Sequence, residues 1–199
     1  MPLADILATE LLTTRPVTPP FPTLTPELEP DVSALGKIRK ICTTARQRCG
    51  ADTVGVSIFH HPHYEELTWI AVVGEGEDFQ GRRYPLRHSM CGVCFDLEAP
   101  QLFIEAQRYF QWLDLASIRI AEGLVVPLRT PSGHFYGTIW MAAHAPPRQF
   151  NDADVKLLSA FEDELYALIS DATVGLSSRF TSSAPLFDAF DGDRRAPRA

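Results

Sequence analysis

Apolar positions recur at helical spacing near both ends of the chain and at strand spacing between them. After Pro30 and the capping candidate Asp31, the stripe Leu35, Ile38, Ile41, Cys42 and Ala45 predicts a helix to about Cys49, with Gly50 as its stop. Residues 54–59 read as a buried strand and 66–73 as a second, paired antiparallel through a loop at 60–64. A polar loop with three glycines follows at 74–81, then an irregular crossover over 85–96. Residues 100–105 predict a short strand and 106–115 a short helix. Residues 123–128 form a strand whose Pro127 points to an edge or to the end of a ladder. A turn over 131–134 leads into 137–143, the most apolar strand. Asn151 can cap a last helix running to about Ser170, with Phe150 packing back onto its first turn. Val155, Leu158, Phe161, Leu165, Leu168 and Ile169 form its inner face.

This order predicts an α/β protein of the α+β kind. Two hairpins build a mainly antiparallel sheet, and helices from both ends of the chain cover one face. The domain is expected over 31–170. Before it, residues 1–30 carry Pro16, Pro19, Pro20, Pro22, Pro26 and Pro30, which fix φ and remove donors, so they read as an extended Pro/Thr-rich arm. Leu7, Leu11 and Leu12 suggest a short helix at its start, and Phe21 and Leu24 could lay the arm over the domain. Residues 171–199, rich in Ser, Ala, Asp and Arg, read as a flexible tail with one docking segment at 185–190.

With 45% hydrophobic residues among 199, the chain can bury a core. A formal net charge of −7 argues against a nucleic-acid or anionic-membrane partner, since both require a positive field. The basic group Lys37, Arg39, Lys40, Arg46 and Arg48 reads as the solvated face of the first helix. No apolar run approaches the ~18–20 residues of a membrane span, and the first twelve residues, with Asp5 and Glu10 and no basic start, do not read as a signal peptide, so a cytoplasmic location is expected. Four cysteines are too few for a secreted disulfide scaffold.

Candidate chemistry centres on Cys91 and Cys94. A C-x-x-C pair can form a redox disulfide or half of a metal site, with His88 as a third ligand, or it can be two small residues in a tight crossover turned by Gly92. Cys42 and Cys49, about two helical turns or roughly 10 Å apart, cannot clamp one metal between them. His60, His61 and His63 lie on a loop without fixed partners and read as solvated. Tyr109, Phe110, Trp112 and Trp140 suit either a pocket for a planar ligand or plain core. Arg82, Arg83, Arg87 and His88 flank the crossover and could meet an anion, Arg87 and His88 more closely than the other two. Paired catalytic carboxylates, a phosphate loop and a nucleophile elbow are all missing from the sequence, so no catalytic residue and no metal site is assigned.

Several segments, in this order, resemble a GAF domain: Ser89-Met90-Cys91-Gly92-Val93-Cys94-Phe95-Asp96, Ala99-Pro100-Gln101-Leu102-Phe103 with Arg108-Tyr109-Phe110, Glu122-Gly123-Leu124-Val125-Val126-Pro127-Leu128, and Gly137-Thr138-Ile139-Trp140. They are similar to a bacterial subgroup found in sensor kinases. The resemblance implies a small-molecule pocket on the sheet face opposite the helices, roofed by residues 82–118, and a homodimer formed through the first and last helices. The expected ligand-binding residues are then Arg87, His88, Cys91, Cys94, Phe103, Tyr109, Phe110, Trp112 and Trp140, with the ligand or cofactor unknown. The sequence holds no transmitter segment, so a stand-alone sensory domain of a two-component type of system is expected, acting on a signalling partner. A thiol-dependent redox protein using Cys91 and Cys94, and a protein-contact module with a degenerate pocket, are the alternatives. Free methionine-(R)-sulfoxide reductases of this family carry a second cysteine shortly before the Val-Pro strand. Residues 113–121 hold none, which argues against that activity, and the lack of a Cys-His pair argues against a covalent bilin.

Overall fold

The computed structural model describes residues 32–60, 65–115, 117–146 and 148–177. The arm, the 185–190 segment, His61 and His63 lie outside these residues. Helix α1 (Val32–Cys49) leads into strands β1 (Thr53–Phe59), β2 (Glu66–Gly74) and β3 (Arg83–Pro85). Helix α2 (Met90–Leu97), strand β4 (Gln101–Ile104) and helix α3 (Trp112–Leu115) form the crossover. Strands β5 (Glu122–Arg129) and β6 (Phe135–Ala143) follow, then helices α4 (Asp152–Ser159) and α5 (Glu162–Ser177). All neighbouring strands are antiparallel, in the order β3-β2-β1-β6-β5-β4. The two expected hairpins therefore meet along β1 and β6 at the centre.

Both faces of the sheet are covered. On one, Val54, Val56, Leu124, Val126, Ile139 and Met141 pack against Ile38, Ile41 and Cys42 of α1 and against Leu158, Leu165 and Ile169 of α4 and α5. On the other, Phe59, Leu67, Val72, Val125, Phe135 and Trp140 pack against Tyr84, Leu86, Cys91 and Cys94. Every residue of β1 and β6 is buried, and this double burial is why those strands read as continuous apolar runs. Pro127 sits in β5, an inner strand, but β4 pairs only with Glu122 to Val125. The proline thus lies beyond the end of that ladder, where its missing N–H breaks no bond to β4.

Three local expectations change. Residues 90–97 of the crossover are helical rather than irregular, the stretch 106–115 holds a short 3-10 turn and then α3, and the last helix is two helices. The break after Ser159 places Phe161 against the core, and Glu162 accepts the Arg129 backbone N–H at 2.5 Å, so the chain changes direction to satisfy β5. The start of α4 is fixed as its sequence suggests. Asn151 accepts from Ala153 N at 2.8 Å, and buried Asp154 accepts from Asn151 N at 2.9 Å. Arg148 bridges Asp154 at 2.6 Å and donates to the Cys49 carbonyl, tying the end of α1 to the start of α4. Part of the basic face of α1 is also structural rather than solvated. Arg39 donates to Val72 O, Gln80 and Glu77, and Arg46 to Asp52 O, which fixes the loop after β2.

Candidate functional site

Helix α2 begins on a tight turn over Leu86, Arg87 and His88. Ser89 caps it: its hydroxyl accepts from Gly92 N at 3.1 Å and donates to Leu86 O at 2.8 Å. A Cβ at Gly92 would lie 2.0 Å from the Leu86 carbonyl oxygen, so only glycine lets the helix rest on that turn. This seating points Cys91 and Cys94 down into the sheet. The Thr138 hydroxyl donates to Cys91 Sγ at 3.2 Å, and the Cys94 thiol donates to Ala99 O at 3.3 Å.

Beside α2 lies a cavity of about 40 Å³. Its walls are Trp69, Tyr84, Trp112 and Trp140, with Val72, Phe79, Met90, Cys91 and Leu113. Thr53, Glu75 and His144 close one end. The four large rings form a continuous chain: Trp140 to Trp69 at 5.1 Å, Trp69 to Tyr84 at 4.4 Å, and Tyr84 to Trp112 at 5.2 Å between centroids. Two of the indoles are anchored, Trp140 Nε1 donating to Ser57 Oγ at 2.9 Å and Trp112 Nε1 to His88 O at 2.7 Å. Tyr84, only 6% exposed, has no hydrogen-bond partner for its hydroxyl. A buried hydroxyl without a partner costs roughly 1–3 kcal/mol, so a polar atom in the cavity would recover that cost.

The sequence-predicted residues divide by position. Cys91, Trp112 and Trp140 line the cavity. Cys94 packs beneath α2, and Phe103 and Phe110 pack edge to face at 5.7 Å in the neighbouring layer. Tyr109 is 36% exposed; Arg87 and His88 are exposed and outside the lining, although the His88 carbonyl orients Trp112. Arg82 lies over the Phe79 ring and Arg83 pairs with Glu66, so neither meets the cavity. Trp69 and Tyr84 were not legible as site residues. A β-bulge pairs Val56 with Ala71 but Ser57 with Trp69, leaving Ile70 as an extra residue in β2. It reverses the alternation, so Leu67 and Trp69 share the face of Val72. Tyr84 comes from β3, a three-residue strand too short to leave a periodic signal.

The thiols are poorly suited to chemistry. Burial pushes Cys91 up to about 11, only partly offset by the Thr138 and Ser57 hydroxyls. Burial also raises Cys94, and Cys91 raises it further. The thiolate is the nucleophile, so both are inert near neutral pH. All four cysteines are free and buried. A thiol-reactive disulfide reagent at pH 8 should therefore titrate all four only after denaturation; rapid reaction of native Cys91 would contradict this. The same shift gives a pH dependence. Above pH 9.0 an unfolded Cys91 loses its proton while the folded one keeps it to about 11, so stability should fall across that window and be insensitive to this group below it. Among the described residues no group of three His, Cys, Asp or Glu side chains could hold a metal. His60 bonds the Thr68 hydroxyl at 2.6 Å, and burial followed by the charge of Arg83 lowers its pKa.

The profile of the GAF domain family matches residues 37–166. No curated protein matches the chain. Among solved structures, the GAF domain of the Acinetobacter phosphoenolpyruvate-protein phosphotransferase aligns with a TM-score of 0.60 at 14% identity, covering 73% of this chain and 87% of that one. The GAF-B domain of DevS from Mycobacterium smegmatis gives 0.54 at 20%, covering 75% and 99%. The type II free methionine-R-sulfoxide reductase of Thermoplasma acidophilum gives 0.56 at 20%, covering 70% and 93%. At these identities the likeness is one of fold.

Proposed function

The chain belongs to the GAF domain family, a general small-molecule sensing and regulatory module, and from that premise we propose that it binds a small molecule in the aromatic cavity between the sheet and α2–α3. The observation that carries the reading is the Tyr84 hydroxyl, buried without a partner in the wall of a cavity whose surface is mostly apolar. Cys91, Trp112 and Trp140 are the sequence-predicted residues that would touch the ligand, with Trp69 and Tyr84 added. Phe103 and Phe110 would support that wall from the layer behind.

Occupancy would be relayed through the sheet to α1 and α5, which pack against each other on its far side. A homodimer formed on these helices, coupled to a partner in a two-component type of system, is the route by which a shift between them would be read. The thiol-redox alternative draws no support from Cys91 and Cys94, both held as neutral thiols by burial. The small volume favours a different second reading, a protein-contact module whose pocket is already filled by its own side chains.

One experiment separates the two. All three tryptophans of the sequence line the cavity, so intrinsic emission reports on this site alone. Screening a metabolite library should yield at least one compound that raises the melting temperature and changes tryptophan emission with the same midpoint. A library with no such compound would refute the sensor reading and leave the contact module.

A further inference from the structure

The two edges of the sheet are finished differently. At one end β3 is three residues long and carries Arg83 and Pro85, and charge and proline are what keep an edge from pairing with another strand. At the other end β4 is Gln101-Leu102-Phe103-Ile104, with no charge and no proline. Its pairing with β5 fixes which backbone groups are spent. Ile104 stands opposite Glu122, and Glu105 N donates to Ala121 O at 2.8 Å, so Gln101, Phe103 and Glu105 turn their N–H and C=O groups toward β5. Leu102 and Ile104 turn theirs the other way, where no hydrogen bond meets them among the described residues.

Apolar side chains gather at the same edge. The large hydrophobic residues exposed among the described ones are Leu97, Ile104 and Tyr109, and all three lie in β4 or within a few residues of it. Ile104 is 62% exposed and Leu97 57%. Leu102, on the same side of the strand as Ile104, packs against the helix-side core, while Phe103 packs on the opposite face. A strand laid along β4 would therefore meet apolar surface on both sides, together with the outward backbone groups of two residues.

The chain itself holds a segment of the required kind. Residues 178–199 follow α5, outside the described residues, and Leu186-Phe187-Asp188-Ala189-Phe190 is the apolar run among them. Pro185 precedes it, and the start of a strand is a place where a missing N–H is tolerated. The N-terminal arm is unsuited, because its closely spaced prolines, from Pro16 to Pro30, lack the donors a ladder needs. Helix α5 packs on β5, and the free edge of β4 lies two strand spacings, about 10 Å, beyond it. Residues 178–184, when extended, span about 23 Å, so the run can reach that edge. A tether this short gives the segment a local concentration on the order of millimolar, which favours it over a second copy of the chain.

We propose that residues 186–190 of the same chain add to the sheet as a further strand on β4, antiparallel like every pair already present. Phe187 would stand opposite Ile104 and Ala189 opposite Leu102, which satisfies the outward backbone groups of both and covers the exposed Ile104 side chain. The tail would thereby close this edge to other chains. The assignment is independent of what the cavity binds.

Amide hydrogen exchange of the full chain, resolved residue by residue by NMR, tests this. The Phe103 N–H, in the ladder between β4 and β5, is the internal reference. The Leu102 and Ile104 amides should be protected in the wild-type chain, and equally so after dilution. The double variant Phe187→Pro/Ala189→Pro removes the two tail donors, and it should speed both amides by at least about tenfold while leaving Phe103 unchanged. Fast exchange of Leu102 and Ile104 in the wild type would show a bare edge and overturn the proposal. Protection that survives the double variant would overturn the tail as the occupant. Protection that falls on dilution would assign the edge to a second copy and overturn it as well.

Discussion

Gly92→Ala should lower the melting temperature by about 10 °C and abolish the native tryptophan emission of the site. The added methyl would stand 2.0 Å from the carbonyl oxygen and 2.8 Å from the carbonyl carbon of Leu86, and 3.3 Å from Arg87 Cα. All three are backbone atoms, so no side chain can swing aside. The turn over 86–88 is itself locked, because Leu86 N donates to Glu65 O and Leu86 O receives both Ser89 N and the Ser89 hydroxyl. Helix α2 must therefore lift from the turn, and Cys91 and Cys94 lift with it. Overpacking a fixed site costs typically 1–3 kcal/mol and sometimes more, and ~3 kcal/mol corresponds to about 10 °C in a domain of this size. Ala introduced at the open, left-handed-free position Gly36, where no atom lies within 4 Å of the added Cβ, is the matched control and should be neutral or slightly stabilising. A Gly92→Ala protein that melts like wild type would mean that α2 is not seated on this turn.

Gly55→Ala is the second large effect, and it acts on the site more directly. The Trp140 indole lies across β1 at Gly55, with Cζ2 2.3 Å and Cε2 2.7 Å from where a Cβ would be, and Ala71 O is 2.9 Å away. The ring cannot tilt freely, because Nε1 is bonded to Ser57 Oγ and its face meets Trp69. Either the Trp140–Ser57 bond breaks, leaving a buried indole N–H unpaired, or β1 separates from β2. The expected cost is about 2–4 kcal/mol, read by denaturant unfolding. The variant should also show altered tryptophan emission and lose any ligand response, whatever the ligand. Retention of both wild-type emission and wild-type stability would show that the indole does not pack over Gly55.

The contrast between these glycines and the cysteines beside them separates what residue chemistry reveals from what only packing reveals. C-x-x-C has the spacing of thiol chemistry, yet burial raises both thiols, and the residue between them that the fold cannot replace is Gly92. The aromatic run 109–112 pointed toward the site, but only Trp112 reaches the cavity, while Phe110 plugs the layer behind it and Tyr109 faces solvent. Arginines near the crossover looked available for an anion, and the structure instead commits them to a ring, a glutamate or solvent.

The fold class, the two hairpins, the place of both flanking helices and the crossover as the region of interest are all legible in the residue pattern. Those follow from short-range signals, periodicity, caps and turn residues, which act within a few positions and survive without knowledge of the partner. Tertiary structure alone decided which side chains form the cavity. One extra residue in β2, Ile70, turns Trp69 toward the site, and its register is set by pairing with β1 rather than by the β2 sequence. Tyr84 arrives on a strand that exists only because β2 accepts it, and its hydroxyl is left without a partner by the packing around it. The split between α4 and α5 likewise serves the Arg129 N–H, a need that local helix propensity does not encode. Long-range pairing fixes these features, because each depends on atoms brought together from strands and helices distant in the chain.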